Sequence, residues 1–551
     1  MPFEIDAADF DYYAKIGVDV PRFCPSCREQ LRQVHRNERS LYKRPCDLCK
    51  KPGISMFSPN KSDTVYCNEC WYSDKWNPFD YGRAYDPSRS FFEQFAELWK
   101  VIPKLSLAHA RSVNSEYLNT AADSKNCYMI FESSNNEDCT HCYWIQKTKN
   151  CIDCSYTHEL EFSYESDDSY ESNKIFYSRG CQQCVDSYFL LDSKGCTNCT
   201  GCVNLRSKQY CILNEQFAKE EYEKRLKELR LDTYSGVEAF RKKFDEFIVK
   251  QPRKYAELLQ TENCTGNYIK NAKNCRQCFH SYEAQDNKYS THVWRDAKDC
   301  WDCHTSGRGA QLIYNSFNTG ISASNCFCCG QTWGGSFLAY CLYCHDSMNC
   351  FGCASVRKQK YCILNKQYSK EEYEKVRVQI IDSLKKEGRY GEFFPPEISA
   401  FGYNESAAQI DYPLTKENAL SRGYRWDEAS RGTYGQETVK WDTLPDSIRD
   451  VGDVTKEIFA CTQCQKNYRI IPAELQFYKQ FSIPLPRLCP DCRHERRMAE
   501  RGPNKLWVRN CMCVTTTHGH ATTCPNTFET PYSPERSEIV YCESCYSAEV
   551  T

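Results

Sequence analysis

From Tyr117 onward the polar and apolar residues fall into a beat of twelve. Cys127, Cys139 and Cys151 recur at that interval, and such cysteines usually follow Asn, Asp or Gly and precede a short aromatic or β-branched run. A fixed short period marks a solenoid. The runs CYMIF, CYWIQ, CSYTH and CVDSYFLL read as strands and the KN, ED and KG clusters as corners, so each coil stacks its strands on the next as a parallel β-helix. The array ends at Tyr210-Cys211-Ile212-Leu213-Asn214, followed by a charged helix from about Lys219, and the same ending returns at Tyr361 to Asn365. Lys219 to Lys224 matches Lys370 to Lys375, and Ser369 with Glu372 forms a capping box that starts the second helix. The pattern predicts a helical lead-in over 86–116, a first array over 117–214, a helical insert over 215–261, a second array over 262–366 and a capping helix over 367–391. A helix at the end of each array would cover its open sheet edge. Residues 392–455, rich in aromatics, Pro and Gly, read as an irregular connector lying along the solenoid.

The flanks carry a different pattern, and they carry it twice. Residues 3–46 align without a gap on 468–511 at an offset of 465, with Phe3 on Tyr468, Ile5 on Ile470, Tyr13 on Tyr478 and Pro21 on Pro486. The same offset sets Cys24 and Cys27 on Cys489 and Cys492, and Cys46 on Cys511. From Phe57 to Cys70 the match continues on Tyr532 to Cys545 at an offset of 475, so the second copy has ten extra residues, which bring His518, His520 and Cys524. The N-terminal module is 1–85 and the C-terminal module 456–551. The fold class that follows is mainly β with a small α content: a duplicated parallel β-solenoid flanked by duplicated treble-clef/zinc-ribbon modules.

Metal chemistry enters through cysteine spacing. Cys461-x-x-Cys464 and Cys489-x-x-Cys492 present four thiolates in two tight turns, which suits tetrahedral Zn²⁺. Between the pairs, Tyr468, Ile470, Leu475, Phe477, Tyr478, Ile483 and Leu485 supply the core that a small module needs besides its metal. The second pair runs into a predicted helix from Arg493 to Met498, the layout of a treble clef. Cys46, Cys49, Cys67 and Cys70 form a second site of zinc-ribbon spacing. In the C-terminal copy Cys511, Cys542 and Cys545 are its counterparts, and the fourth ligand is Cys513, His520 or Cys524, with Cys524 preferred. Cys24 and Cys27 lack their first pair, which would precede residue 1. Either that site is half lost, or the start codon lies inside a longer reading frame. About three zinc ions are expected, or about four if Cys24 and Cys27 find partners.

Cys461-x-x-Cys464, Glu474, Phe477-Tyr478, Pro486-Arg487-x-Cys489 and Cys492-Arg493 resemble the treble-clef zinc-ribbon domain family of small bacterial proteins. The wider layout, cysteine-studded repeats followed by YCILN and a charged helix, resembles large cysteine-rich zinc-ribbon proteins of candidate-phyla bacteria. The resemblance implies zinc and a fold, and nothing about a substrate.

At 551 residues, with 41% hydrophobic and 14% aromatic content, the chain has material for several cores and is not a disordered sequence. No apolar run is long enough to span a bilayer, and the acidic start MPFEIDAADF has neither the basic nor the apolar region of a secretory signal. A cytoplasmic protein without membrane association is expected. The 39 cysteines, odd in number and spread over a long chain, point to thiols and zinc and away from a disulfide framework. A net charge of −2 conceals an asymmetry: residues 22–51 hold nine Lys/Arg against three Asp/Glu, whereas residues 127–204 hold five against twelve.

The solenoid cysteines read as an internal ladder of small buried side chains. Cys196-x-x-Cys199-x-x-Cys202 resembles an iron–sulfur run, but Ser347 replaces the first of these in the second array. Four-thiolate zinc sites leave no position for water or substrate, so the metal is expected to be structural. Catalysis on a polymer by a β-helix groove, through His158, Glu159 and Glu161 or His292 and His304, is the weakest reading. The leading one is a non-catalytic, zinc-stabilised protein that binds nucleic acid or a ribonucleoprotein through its basic modules; the alternative is a protein-interaction scaffold built on the solenoid. Arg28, Arg32 and Arg36 share one helical face, as do Arg493, Arg497 and Arg501, and Tyr42 and Trp507 lie near enough to stack bases. The competing reading of those stripes is a solvated helix face.

Overall fold

The solenoid is governed by a backbone repeat of three nested inside the repeat of twelve. In the computed structural model, which describes residues 3–429 and 432–550, every third residue from Arg111 to Leu213 has positive φ without a break. Apart from glycine, Asn and Asp are the residues that tolerate this region best, yet Trp144, Tyr156 and Phe189 occupy it here. Parallel pairing at steps of twelve holds them there: Asn119 faces Phe131, Phe131 faces Tyr143 and Tyr143 faces Ser155.

The residue after each positive-φ position points inward. Leu118, Ala121, Cys127, Ile130, Cys139, Cys142, Ile145 and their successors form one buried column. Each coil therefore has four inward positions, and coils stack about 4.8 Å apart, so only small or slender side chains fit. The polar ones bridge coils. Ser133 Oγ donates to the Phe131 carbonyl (2.6 Å) and accepts from the Ile145 N–H one coil later (3.1 Å). Cys142 Sγ does the same between the Thr140 carbonyl (3.3 Å) and the Cys154 N–H (3.4 Å). A buried inward N–H needs a partner, and a hydroxyl or thiol from the preceding coil supplies it. The interior is thus a hydrogen-bonded ladder as well as a packed one.

The second array keeps this plan with an inserted residue in its middle coils, where pairing steps by thirteen: Lys298 faces Gln311 and Gln311 faces Ser324. The extra residue sits at one corner, where two consecutive residues have positive φ: Arg295–Asp296, Arg308–Gly309, Ile321–Ser322 and Gly334–Gly335. The parallel ladders begin at His109–Ala110 and Leu258–Glu262, ahead of the expected 117 and 262.

The YCILN endings have a physical reason. Asn214 accepts from the Val203 N–H (2.9 Å) and donates to the Val203 carbonyl (3.0 Å), so its amide imitates the next coil. Asn365 does this on Ala354, at 2.9 and 2.8 Å. The capping box at Ser369 and Glu372 is present, opening the helix Lys370–Lys386. A helix lies over the end of each array: Tyr234–Ile248 packs Phe240 and Phe244 on Phe189 and Val203, and Phe91–Val101 packs Phe91 on Tyr340 and Phe351. Both helices approach a glycine of positive φ, where a Cβ would meet Phe240 at 2.6 Å from Gly201 or Phe91 at 2.7 Å from Gly352.

The two arrays lie side by side, with Trp144 stacked on His292 (4.8 Å between centroids), Tyr156 tilted against His280 (4.7 Å), and Asn318 donating to Glu132 (3.1 Å). The flanking modules bridge them. Helices Ala7–Ile16 and Pro25–Val34 reappear at the 465 offset as Pro472–Phe481 and, from the same start, Pro490–Glu500. Strand Val65–Tyr66 pairs with Lys104–Leu105, which leads into the first array, and Val540–Tyr541 pairs with Arg253–Lys254, which leads into the second. The described residues of segment 392–455 pack on modules and arrays together: Phe393 and Phe394 meet Phe317 and Tyr340 of the second array and, with Ile398 and Phe401, join the N-terminal core, while Ile448, Val451 and Val454 share the C-terminal core with Ile152, Tyr164 and Phe176 of the first array.

Candidate metal centres and the buried arginine helices

Three groups of four cysteines bring their sulfurs within 4.8 Å of one another: Cys46, Cys49, Cys67 and Cys70; Cys461, Cys464, Cys489 and Cys492; and Cys511, Cys524, Cys542 and Cys545. With Zn–S near 2.3 Å, a tetrahedron has sulfur–sulfur edges of about 3.8 Å. One pair in each group is of that length: Cys49 to Cys67 at 3.9 Å, Cys464 to Cys489 at 3.7 Å and Cys524 to Cys542 at 3.9 Å. Each group also has a sulfur that accepts backbone N–H bonds, as metal-binding knuckles do: Cys67 to Cys46 (3.3 Å), Cys489 to Cys461 (3.2 Å) and Cys542 to Cys511 (3.2 Å). Burial alone would push the Cys46 and Cys461 thiols up, but N–H donors pull both down to about 7, toward the thiolate a metal requires. The donor sets fit zinc.

Of the three candidates for the fourth ligand beside Cys511, Cys542 and Cys545, the four-sulfur group contains Cys524. Cys513 falls in a separate group with His518 and Cys545. Cys24 is buried at the start of its helix and Cys27 is exposed, and among the described residues they join no cluster of three or more ligands. Nor do the solenoid cysteines: burial raises the Cys142 and Cys154 thiols well above their ordinary range, which favours the neutral form that donates to carbonyls.

The arginine stripes are where the sequence reading fails. Arg28, Arg32, Arg36, Arg493 and Arg497 are each at most 4% exposed. Arg28 makes a two-pronged bond to Asp302 (3.0 and 2.8 Å) and donates to the Phe23 carbonyl; Arg32 reaches Asn315 (2.9 Å), and Arg36 reaches Glu132 (3.0 Å) and Glu38 (2.8 Å). The second copy repeats the scheme on the first array. Arg493 donates to Asp153 (2.7 Å) and to the Leu488 carbonyl (2.9 Å), the counterpart of Phe23 at the 465 offset. Arg497 lies 3.5 Å from both Asp153 and Asp167, and Arg501 grips Asp168 (2.7 and 2.9 Å) over the ring of Tyr156. Neither the phosphate-binding stripe nor the solvated face describes these helices, because the facing acids come from the arrays. Tyr42 is buried with its hydroxyl on Glu405 (2.8 Å), and Trp507 is half-buried under Lys505. Tyr42 is thereby closed to stacking on a base.

The acids that matter, Glu132, Asp153, Asp168 and Asp302, all sit at positive-φ corners, with Asp167 beside one of them. For Glu132, Asp153, Asp167 and Asp168 the signal in the sequence was the acidic bias of residues 127–204; Asp302 lies outside that segment. His292 and His304, candidates for catalysis, are buried with ring nitrogens 3.1 Å apart, and burial holds both well below the usual imidazole value. His158 and Glu159 lie 3.9 Å apart on a partly open face. Among the described residues no helix is long and apolar enough to cross a membrane.

No family model matches the chain, and no curated protein matches it.

Proposed function

We propose that this chain is a non-catalytic, zinc-stabilised scaffold whose outward solenoid faces bind a protein partner in the cytoplasm. Its end modules, read as treble-clef and zinc-ribbon units produced by duplication, serve as clamps that hold two arrays together. One observation carries this reading: both arginine helices are spent inside the molecule on array carboxylates. The arginines on which a nucleic-acid interface was expected are thus engaged inside the molecule, which favours the scaffold. The exposed faces of the arrays carry ladders that neutralise themselves coil by coil, such as Arg111 with Asp123 and Lys125 with Glu137. Such a surface has little of the concentrated positive field that phosphate backbones require, and suits a polar protein interface.

The test is direct titration of labelled single- and double-stranded RNA and DNA into the full chain at low and moderate salt, beside affinity purification from the native host. The expected result is no saturable nucleic-acid binding and one stoichiometric protein partner retained at moderate salt. Saturable binding that falls steeply with salt would overturn the scaffold reading and restore the nucleic-acid one.

A further inference from the structure

The two modules differ at their second cysteine site. Where the N-terminal module has Cys46-x-x-Cys49, the C-terminal one has Cys511-x-Cys513 and ten additional residues carrying His518, His520 and Cys524. Cys524 completes the four-sulfur group, which leaves Cys513, His518 and His520 without a role in it. Cys513 and His518 form a second group with Cys545, and His520 adjoins it through Cys545.

We infer that the C-terminal module holds a pair of zinc ions bridged by the Cys545 thiolate, one ion in Cys511, Cys524, Cys542 and Cys545, the other in Cys513, His518, His520 and Cys545. Cys513, His518 and Cys545 already bring their ligand atoms within 4.8 Å of one another, and Cys545 is common to both groups. A tetrahedral zinc with one sulfur and one nitrogen ligand sets those atoms about 3.6 Å apart. Cys545 Sγ lies 3.6 Å from His520 Nε2, and Cys513 Sγ lies 3.3 Å from His518 Nδ1.

A second, independent observation concerns the other nitrogen of each ring. Metal-bound histidines donate their remote N–H to a carbonyl or carboxylate, which fixes the tautomer and aims the free lone pair at the metal. His520 Nδ1 lies 2.6 Å from the Thr522 carbonyl, and His518 Nε2 lies 3.6 Å from the Glu549 carboxylate. The His520 ring is held by that hydrogen bond and the His518 ring faces the Glu549 carboxylate, each with its opposite nitrogen toward the sulfurs. The spacing of the cysteines agrees. Residues two apart in an extended segment point the same way, too far separated to share one tetrahedral ion but well placed for two neighbouring ones. Here Cys511 and Cys513 fall in different groups. Charge also balances: five thiolates and two neutral imidazoles around two dications leave one net negative charge, whereas a single ion would leave the Cys513 thiol buried without a metal.

Native mass spectrometry of the full-length chain tests this by counting zinc. Wild type is expected to carry four ions: one in the Cys46 group, one in the Cys461 group and two here. Cys513→Ser and His518→Asn should each carry three, with the other sites filled. Three ions in wild type, or a count unchanged by both substitutions, would refute the bridged pair. Because a variant can fail to fold, ¹¹³Cd NMR of the cadmium-loaded wild-type chain supplies a second reading. A four-sulfur signal and a mixed sulfur–nitrogen signal that split each other through a shared sulfur are expected. A solitary four-sulfur signal from this module would equally overturn the proposal.

Discussion

Replacing Arg493 by Ala removes the centre of the C-terminal clamp. The Arg493 side chain is 2% exposed, Asp153 is fully buried, and their contact at 2.7 Å joins residues 340 apart in sequence. The same side chain bonds the Leu488 carbonyl at 2.9 Å and lies 3.6 Å from Glu474. After truncation Asp153 keeps only Arg497, at 3.5 Å. Breaking a buried pair from one side costs about 3–5 kcal/mol, because the remaining charge stays out of water. With a main-chain bond lost as well, about 4 kcal/mol is expected, which is on the order of a thousand-fold in the opening equilibrium of the module. The assay is hydrogen exchange followed by mass spectrometry on peptides covering helices Pro472–Phe481 and Pro490–Glu500, with zinc content measured alongside. Lys147→Ala, which breaks an exposed coil-to-coil pair with Glu159, is the control and should cost less than about 1 kcal/mol. Since a buried pair is poorly screened, the Arg493 effect should persist from low to high salt. A loss of protection under tenfold, or one that vanishes in high salt, would refute the buried-clamp reasoning.

Burial holds His280, His292 and His304 well below the usual value of 6.5. The unfolded chain then binds more protons than the folded one below that pH. Their contribution should be full above about pH 6.5 and fall as pH drops, by about 1.4 kcal/mol per histidine per unit, and buried Glu29, Glu132 and Asp167, each pushed up to about 7, act in the opposite sense; the histidine share is read as a shallower change of urea midpoint between pH 7.5 and 5.5 in His292→Asn. Asn365→Ala removes two bonds to the Ala354 backbone and should cost about 2 kcal/mol, visible as faster proteolysis at that end of the second array. Structural zinc is worth roughly 10–16 kcal/mol in apparent binding, so a chelator should open both end modules, while far-ultraviolet circular dichroism keeps the solenoid's β signal.

The cysteine sites were legible because their grammar is local: Cys46 to Cys70 and Cys461 to Cys492 each lie within one short stretch. The twelve-residue coil was legible for a similar reason, the recurrence of Cys127, Cys139 and Cys151. The inner period of three was not, since strand-like runs such as CYWIQ invite an in–out alternation of two, and since inward Ser, Thr and Asn look like surface residues. Reading every third position from Leu118 would have found the column. The arginine helices were misread because a helix face shows its own sequence neighbours only. Arg493 meets Asp153, 340 residues away, and the acidic bias of residues 127–204, visible from the start, was the trace of that meeting; Arg28 meets Asp302, which lies outside that segment and left no such trace.

The crossed attachment of the two modules makes the order of synthesis part of the structure. Arg28 precedes its acceptor by 274 residues. At a ribosomal rate of about 5–20 residues per second, the N-terminal helix waits roughly 14–55 s for Asp302 to be made. Arg36 has Glu38 beside it and Glu132 only 96 residues on, but during that time Arg28 and Arg32 are without their partners in the second array. For the C-terminal module the clock runs the other way, because Asp153, Asp167 and Asp168 are already stacked in the first array when Arg493 emerges. Two latches of the same chemistry thus close in opposite sense, the first by waiting for its partner and the second by finding it ready.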